Sequence, residues 1–373
     1  MHEFPHPAGL IYLNHAGVGP WPARAGAAVE RFARENVSRG AAGYPEWLRV
    51  EQRLRQRLAK LLKVADPADI ALVKNTSEGL SLVAYGLDWR PGDKVIINKH
   101  EFPSNRIVWE SLQSAYGVEV CDIDLTAGTT PEDALIEAMD RRTRLLAISS
   151  VQYGNGLRMD LNRLGQACRQ HGVLLCVDAI QSLGALQFDA TAVQADFVVA
   201  DGHKWLLGPE GLGVFYARPA VREQLRLRQY GWHMVADPGN YDRSDWSIAP
   251  TARRFESGSP NMLAIHALDA SLSLFEEVGM EQVEAAVLNN SGYLCERILA
   301  TPGFELLTDP GPERRAGIVT FGIGGRDPKA VYRQLMEQGV ICAQRAGGVR
   351  FAPHFYNTPE QLDRAIELAA ACR

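Results

Sequence analysis

The chain has few lysines and no segment suited to a membrane. Lysine accounts for seven of its 39 basic residues. No apolar run approaches the roughly 18 residues that span a bilayer. Residues 1–6 (MHEFPH) also lack the positive flank and apolar core of a signal peptide. We therefore expect no membrane partner and a cytoplasmic location.

Charge and cysteine usage exclude two further classes of protein. The net charge is −5 and no basic stripe follows the chain, so we expect no nucleic-acid partner. The six cysteines form no C-x-x-C pair, and His171, close to Cys168, has no second pair of ligands beside it. This spacing predicts free, buried thiols and no metal site.

What the chain does have is a regular alternation of strands and helices. Its 373 residues, 46% of them hydrophobic, are enough for two domains. Amphipathic helices are predicted over residues 22–37 and 44–62. Seven apolar strands follow, at residues 70–73, 94–97, 119–123, 145–149, 173–177, 197–200 and 213–216. The pattern predicts an α/β fold with a large, mostly parallel seven-stranded sheet that carries helices on both faces.

The pattern changes after residue 217. Residues 218–254, rich in glycine, proline, tryptophan and tyrosine, predict a long surface excursion. A smaller α+β domain is predicted from helices and short strands at residues 262–278, 281–299, 317–321, 349–352 and 359–372. The expected division is an N-terminal segment that joins the small domain, a large domain and a small C-terminal domain, at residues 1–20, 21–257 and 258–373.

One lysine lies just past a predicted strand. Lys204 belongs to residues 201–205 (DGHKW), directly after the apolar strand at 197–200. Open α/β sheets bind ligands outside the carboxyl ends of their strands. A lysine set between His203 and Trp205 can lose its proton readily, as Schiff-base chemistry requires. On this segment alone, a purely structural lysine is an equal alternative.

Further segments fall near strand ends, and each has a plain structural alternative. Residues 74–79 (KNTSEG) offer backbone N–H groups and hydroxyls to a phosphate, or form an ordinary helix cap. Asp178 offers a carboxylate to a protonated ring nitrogen, or caps the next helix. Phe102 stacks on a flat cofactor, or belongs to the core. An arginine of residues 343–350 (AQRAGGVR) grips a carboxylate with two hydrogen bonds, or forms a surface ion pair.

Taken together, these parts resemble the class V aminotransferase family of fold-type I pyridoxal-phosphate enzymes. That family includes cysteine desulfurases, isopenicillin-N epimerase-like proteins and cyst(e)ine C–S lyases. The resemblance covers almost the whole chain. Its pieces are residues 12–16 (YLNHA), 75–77 (NTS), 101–105 (EFPSN) with 109, 178–181 (DAIQ), 203–204 (HK) with 208–211 (GPEG), 255–261 (FESGSPN) and 350–358 (RFAPHFYNT).

The resemblance implies a role for each matching residue. Lys204 would bind pyridoxal 5'-phosphate as an aldimine, Asp178 would pair with the ring nitrogen, and Gln181 would approach the phenolic oxygen. The residues implied to hold the cofactor are Asn75, Thr76, Ser77, Phe102, Gln152, Asp178, Gln181, His203, Lys204 and Ser259. Ser259 would reach the phosphate of a neighbouring subunit, which implies a homodimer with shared active sites. The residues expected to bind an amino-acid substrate are Arg350, which would clamp its carboxylate, Asn14 and His15.

Three departures from the desulfurases narrow the expected chemistry. Only residues 346–349 (AGGV) lie between Arg345 and Arg350, where desulfurases carry a nucleophilic cysteine. Asp201 replaces a hydroxyl residue of those enzymes, and Phe102 replaces a stacking histidine.

Transamination is the leading expectation, because it needs only Lys204 and the cofactor ring. The alternatives are β-elimination, as in C–S lyases, and epimerisation, which share the same carbanion. The missing loop cysteine counts against a desulfurase, and the presence of Lys204 and Asp178 counts against a noncatalytic binding protein.

Overall fold

The computed structural model describes residues 3–242 and 244–372. Its strands are β1 (Ile11–Tyr12), β2 (Ile70–Val73), β3 (Lys94–Asn98), β4 (Glu119–Ile123), β5 (Thr143–Ser149), β6 (Leu174–Asp178), β7 (Phe197–Asp201), β8 (Gly213–Ala217), β9 (Phe304–Leu306), β10 (Val319–Ile323), β11 (Val340–Ile341), β12 (Ala343–Arg345) and β13 (Gly348–Phe351). Its helices are α1 (Ala23–Arg39), α2 (Tyr44–Leu62), α3 (Thr76–Gly86), α4 (Ser104–Tyr116), α5 (Pro131–Glu137), α6 (Leu161–His171), α7 (Pro219–Arg222), α8 (Met262–Val278), α9 (Met280–Ala300), α10 (Pro328–Glu337) and α11 (Pro359–Ala371). None of these helices combines the length and apolar character that crossing a membrane requires.

The large sheet has seven strands in the order β2-β8-β7-β6-β5-β3-β4. Only β8 runs against its neighbours, pairing antiparallel with β2 and β7. The other four pairings are parallel. The predicted seven-stranded, mostly parallel sheet is therefore confirmed.

Alternate residues of the strands enter two separate cores. In β7, Val198 and Ala200 belong to one core, while Phe197 and Val199 belong to the other. The first core also takes apolar residues from α2, α6 and α8, and the second takes them from α3 and α4. Because both faces are covered by helices, the strands read as continuous apolar runs in the sequence.

A second, antiparallel sheet has the order β12-β13-β10-β9. It packs with α9, α10 and α11 around a third core. β1 pairs in parallel with β11, so the N-terminal segment joins these later elements. α8 packs against α1 and α2, although the predicted boundary at residue 258 places it in the small domain. The division at residues 1–20, 21–257 and 258–373 stays a prediction.

The predicted excursion at residues 218–254 contains α7 and two single-turn 3₁₀ helices, Trp232–Met234 and Ala252–Phe255, and most of its other described residues are irregular. A buried charge cluster lies beneath it. Arg55 of α2 makes ion pairs with Glu51 and Glu256, and His233 of the excursion lies 3.7 Å from Glu256. Ligating atoms of Glu51, His233 and Glu256 lie within 4.8 Å of one another. The Arg55 guanidinium already binds both carboxylates, so we read the cluster as an anchor for the excursion.

The turn after β7, which carries Lys204, is held by chain from both ends of the sequence. Gly19 donates its N–H to His203 O at 2.7 Å, and a Cβ at Gly19 would lie 2.3 Å from Lys204 O. Trp205 is fully buried, and a Cβ at Gly317 would lie 2.4 Å from its ring. Only glycine fits at these two contacts, so the position of the lysine depends on distant segments.

His354 completes this support as a neutral imidazole. Its Nε2 donates to Trp205 O at 3.0 Å, and its Nδ1 accepts the N–H of Phe355 at 2.8 Å. A proton added at Nδ1 would face another donor. Burial lowers the pKa of His354 from 6.5 to about 4. The folded state therefore resists protonation of this ring.

We expect the free energy of unfolding to fall as the pH drops from about 6.5 to about 4. The unfolded chain takes up the proton at the higher pH and the folded chain only at the lower one, so stability is lost across that window, by about 3 kcal/mol for this one group. His354→Gln should flatten the slope in urea titrations at several pH values. The exposed His171, changed to Gln, is the control, and an unchanged slope in His354→Gln would contradict this origin.

Candidate active site

A cleft of about 460 Å³ opens at the carboxyl ends of the parallel strands. Asp178 ends β6 and Asp201 ends β7. The loops after β2 and β3 reach the same edge, because parallel strands end on one side of a sheet. Ten residues expected from the sequence line this cleft: Asn14, Asn75, Thr76, Ser77, Phe102, Asp178, Gln181, His203, Lys204 and Arg350.

Three expected residues do not line the cleft. Gln152 lies behind its wall and donates to Glu101 at 3.3 Å. His15 is fully buried, with Nδ1 2.7 Å from Ala352 O and Nε2 2.7 Å from the Tyr356 hydroxyl. Ser259 is exposed and borders a separate cavity of about 450 Å³.

Lys204 lies in the cleft with only 8% of its surface exposed. Its Nζ is 5.5 Å from the centroid of the Phe102 ring. Burial lowers the pKa of the amine, an effect that Asp178 opposes and Arg350 reinforces. The amine can therefore lose its proton far more readily than a surface lysine, as a base or a nucleophile must.

Asp178 is buried beside the lysine. The N–H of Ile180 donates to its Oδ1 at 3.0 Å. Burial raises the pKa of this carboxyl, and the nearby Glu101 carboxylate raises it further. A cationic ring nitrogen in the cleft would offset both effects and restore the charged form. Asp178 therefore fits the pairing role that the sequence suggests.

One end of the cleft is suited to a phosphate group. α3 begins at Thr76, so its positive helix end faces the cleft. The Thr76 hydroxyl is buried and has no hydrogen-bond partner among the described residues. Ser77 donates to Ser104 at 2.9 Å, and Asn75 caps the helix by accepting the N–H of Glu78 at 2.9 Å. An oxyanion here would satisfy the Thr76 hydroxyl.

The opposite wall carries a buried guanidinium with no carboxylate partner among the described residues. Arg350 is 2% exposed and donates to Tyr153 O at 2.7 Å and to Asn14 Oδ1 at 3.4 Å. Its Nε has no partner. Burial lowers the pKa of Arg350 to about 9, and Arg345 adds to the shift. A substrate carboxylate would relieve this unpaired charge.

No thiol lines the cleft. Arg345 and Arg350 lie on the hairpin of β12 and β13, and the turn passes through Ala346 and Gly347 at φ values of 48° and 77°. All six cysteines are free. Burial raises the pKa of Cys342, the nearest in sequence, to about 12. The hairpin therefore presents two arginines and no sulfur nucleophile.

Glu101, just before Phe102, was not assigned a role from the sequence. Its buried carboxylate accepts hydrogen bonds from Asn98 at 2.6 Å, from Asn105 at 2.9 Å, from the N–H of Ser149 at 2.8 Å, from the Ser149 hydroxyl and from Gln152. Burial raises the pKa of Glu101, and the hydrogen bonds from these donors oppose that shift because they favour the ionised form. Glu101 thus joins the loop after β3 to the loop after β5.

Comparison with known proteins agrees with this geometry. Residues 11–365 match the family described as aminotransferase class-V. A probable cysteine desulfurase of Methanothermobacter thermautotrophicus is 29% identical, over 94% of this chain and 92% of the relative. A cysteine desulfurase of Klebsiella pneumoniae is 31% identical, over 84% and 80% respectively.

Solved structures share the fold. The cystine C–S lyase C-DES, in complex with cysteine persulfide, has a TM-score of 0.91 at 24% identity, covering 98% of this chain and 99% of the other. The apo cysteine desulfurase of Thermococcus onnurineus has a TM-score of 0.84 at 22% identity, covering 97% and 94%.

The fold and the cleft define a pyridoxal-phosphate enzyme of fold type I. The chain belongs to the aminotransferase class-V family. The family, fold and cofactor implied by the sequence are thereby confirmed, while the roles of individual residues stay predictions.

We predict that Glu101→Gln destabilises the protein by about 2 to 3 kcal/mol. The NH2 group of the new amide would face donors that now meet a carboxylate oxygen. A buried donor left without an acceptor lowers the free energy of unfolding by about this amount. Urea unfolding of the protein without cofactor would measure it. Exposed Glu119→Gln is the matched control and should change stability by less than about 0.5 kcal/mol. Equal stability of the two variants would contradict the proposed role.

Proposed function

We propose that this class V enzyme is a C–S lyase that acts on cysteine or a cysteine-derived amino acid such as cystine. The observation that carries the proposal is the hairpin between Arg345 and Arg350, which holds no cysteine. Relatives about 30% identical are named cysteine desulfurases, which points to a sulfur amino acid. A cleft without a thiol favours release of sulfur as a small molecule over its transfer to the chain.

Transamination was the leading expectation from the sequence. The relatives, however, are named cysteine desulfurases, and the structural neighbour C-DES is named a cystine C–S lyase, which supports cleavage of a C–S bond over transamination. Transamination, β-elimination and epimerisation all begin when a bond at the substrate's Cα breaks. They differ in what happens next. A substrate with sulfur at Cβ has a good leaving group, because thiolates and persulfides depart without prior protonation when their pKa is low.

The cofactor would be held at both ends of the cleft. The α3 N-terminus with Thr76 and Ser77 would bind the phosphate, Asp178 would pair with the ring nitrogen, and Phe102 would cover one face. When bound, pyridoxal phosphate withdraws electrons from bonds at the substrate's Cα. Phe102 carries no acid–base group, so proton transfer depends on Lys204.

The chain's own residues supply the rest of the reaction. Arg350 would hold the substrate carboxylate and so orient the bonds at Cα. Lys204 Nζ would accept the Cα proton, because its lowered pKa leaves more of the amine unprotonated and free to act as a base. The Cβ–S bond then breaks, and sulfur leaves as hydrosulfide from cysteine or as a persulfide from cystine.

The proposal predicts pyruvate and ammonia in equal amounts, together with hydrosulfide from cysteine or cysteine persulfide from cystine, which an added thiol reduces to sulfide for the assay. No persulfide should form on the protein. Lys204→Ala should lower this rate by at least about 100-fold, since a positioned acid–base group contributes about that much or more. The exposed Lys329→Ala is the matched control and should leave the rate unchanged. Pyruvate and sulfide assays with mass spectrometry of the protein would test it. Amino-group transfer to a keto acid, without pyruvate or sulfide, would support transamination in its place.

We also propose a homodimer whose active sites draw on both subunits. Ser259 borders a cavity apart from the Lys204 cleft. The excursion packs on the same segment, because the N–H of His233 donates to Ser257 O at 3.4 Å. It also exposes Tyr230, Trp232, Tyr241 and Trp246. Exposed aromatic side chains grouped in this way are typical of protein interfaces.

We expect a particle of twice 41.0 kDa in sedimentation experiments. Ser259→Glu should weaken cofactor binding, because it adds negative charge where a partner's phosphate is expected. Exposed Ser114→Glu is the control. A monomer that binds cofactor normally would overturn the shared site.

A further inference from the structure

The cleft that holds Lys204 also contains an acidic residue, Asp201. Asp201 and His203 line it together with Thr76 and Ser77. Asp201 Oδ1 and His203 Nδ1 are 3.0 Å apart, and their side chains are only 7% and 16% exposed. The angle falls short of a good hydrogen bond, and neither atom has another partner among the described residues. Each atom is thus available only to the other.

A carboxylate next to a phosphate is unfavourable unless a cation separates them. The ring of His203 is in a position to do so. Its Nδ1 faces Asp201 and the ring lines the cleft, which leaves Nε2 as the ring nitrogen that can donate to a bound oxyanion.

The other charged groups of the cleft have different tasks. Its remaining cations are Lys204, Arg345 and Arg350, and its other acid is Asp178. Lys204 is the proposed bonding residue, and the two arginines lie on the hairpin at the substrate side. The helix end of α3 contributes only about half a positive charge. Among the described residues that line the cleft, His203 is therefore the side chain without another task that can offer an N–H donor to a phosphate.

We propose that Asp201 is a positioning residue that holds His203 through Nδ1 and directs Nε2–H to the phosphate group of the cofactor. The inference rests on the use of pyridoxal phosphate, which the family and the fold define. It assigns a role to the one acid that stands where the desulfurases carry a hydroxyl residue. In this arrangement the Asp201 carboxylate contacts His203 instead of the phosphate, and it fixes the ring whose Nε2–H faces the phosphate.

The test compares two ligands that differ only in the phosphate. The full-length protein, stripped of cofactor, is titrated with pyridoxal phosphate and with pyridoxal, and binding is followed by absorbance. Asp201→Asn should weaken binding of pyridoxal phosphate by about tenfold, equivalent to about 1.4 kcal/mol, and that of pyridoxal by less than about twofold. The double variant with His203→Gln should bind no more weakly than His203→Gln alone, because both changes remove the same contact.

A second readout needs no cofactor. Inorganic phosphate added to the stripped protein should shift the ring nitrogens of His203 toward the doubly protonated form in NMR spectra, and less so in Asp201→Asn. Thermal unfolding identifies variants that fail to fold, and Asp201→Ser replaces Asp201→Asn in that case.

The outcomes are distinguishable. Equal weakening for both ligands, unchanged affinity for pyridoxal phosphate, or additive losses in the double variant would overturn the role of Asp201 and leave the proposed function standing. Failure of the wild-type protein to bind either ligand would overturn the proposed function, and this inference with it.

Discussion

The structure depends on keeping a small number of charges out of water at one edge of a sheet. Lys204, Asp178 and Arg350 are all nearly buried, and none of them has the opposite charge at hydrogen-bond distance among the described residues. Such an arrangement is costly unless a ligand completes it. The cleft is therefore complementary to a molecule with an anionic end, a cationic ring and a carboxylate. Because of that constraint, much of the surrounding chain holds the side chains of Lys204, Asp178 and Arg350 in position.

Rigid support for these charges comes from several parts of the fold. The two cores of the large sheet hold β6 and β7, whose last residues are Asp178 and Asp201. Glu101 connects two neighbouring loops through its five donors. The hairpin of β12 and β13 brings Arg350 from the other sheet. The residues that line the cleft thus come from both sheets.

Hydrophobic periodicity predicts most of the large sheet, because strands buried on both faces read as apolar runs. The seven strands lie within two residues of their expected bounds, and α2 matches its prediction at both ends. The short strands β9, β11 and β12 have two or three residues each, too few to establish a period.

Most of the residues expected in the cleft do line it, because they belong to motifs whose order along the chain can be recognised in the sequence. The positions of Gln152, His15 and Ser259 depend on contacts that no spacing encodes. For the same reason the partners of Glu101, one of them 51 residues away, could not be predicted.

The support of the Lys204 turn also bears on when the active site forms during synthesis. Trp205 O receives its hydrogen bond from His354, which is 149 residues later in the chain. A nascent chain that ends within the large domain lacks this donor, as well as the glycine at position 317 that makes room for the Trp205 ring. The turn acquires its final contacts only when nearly the whole polypeptide has left the ribosome. A chain that ends before residue 317 therefore lacks two of the contacts that fix the Lys204 turn.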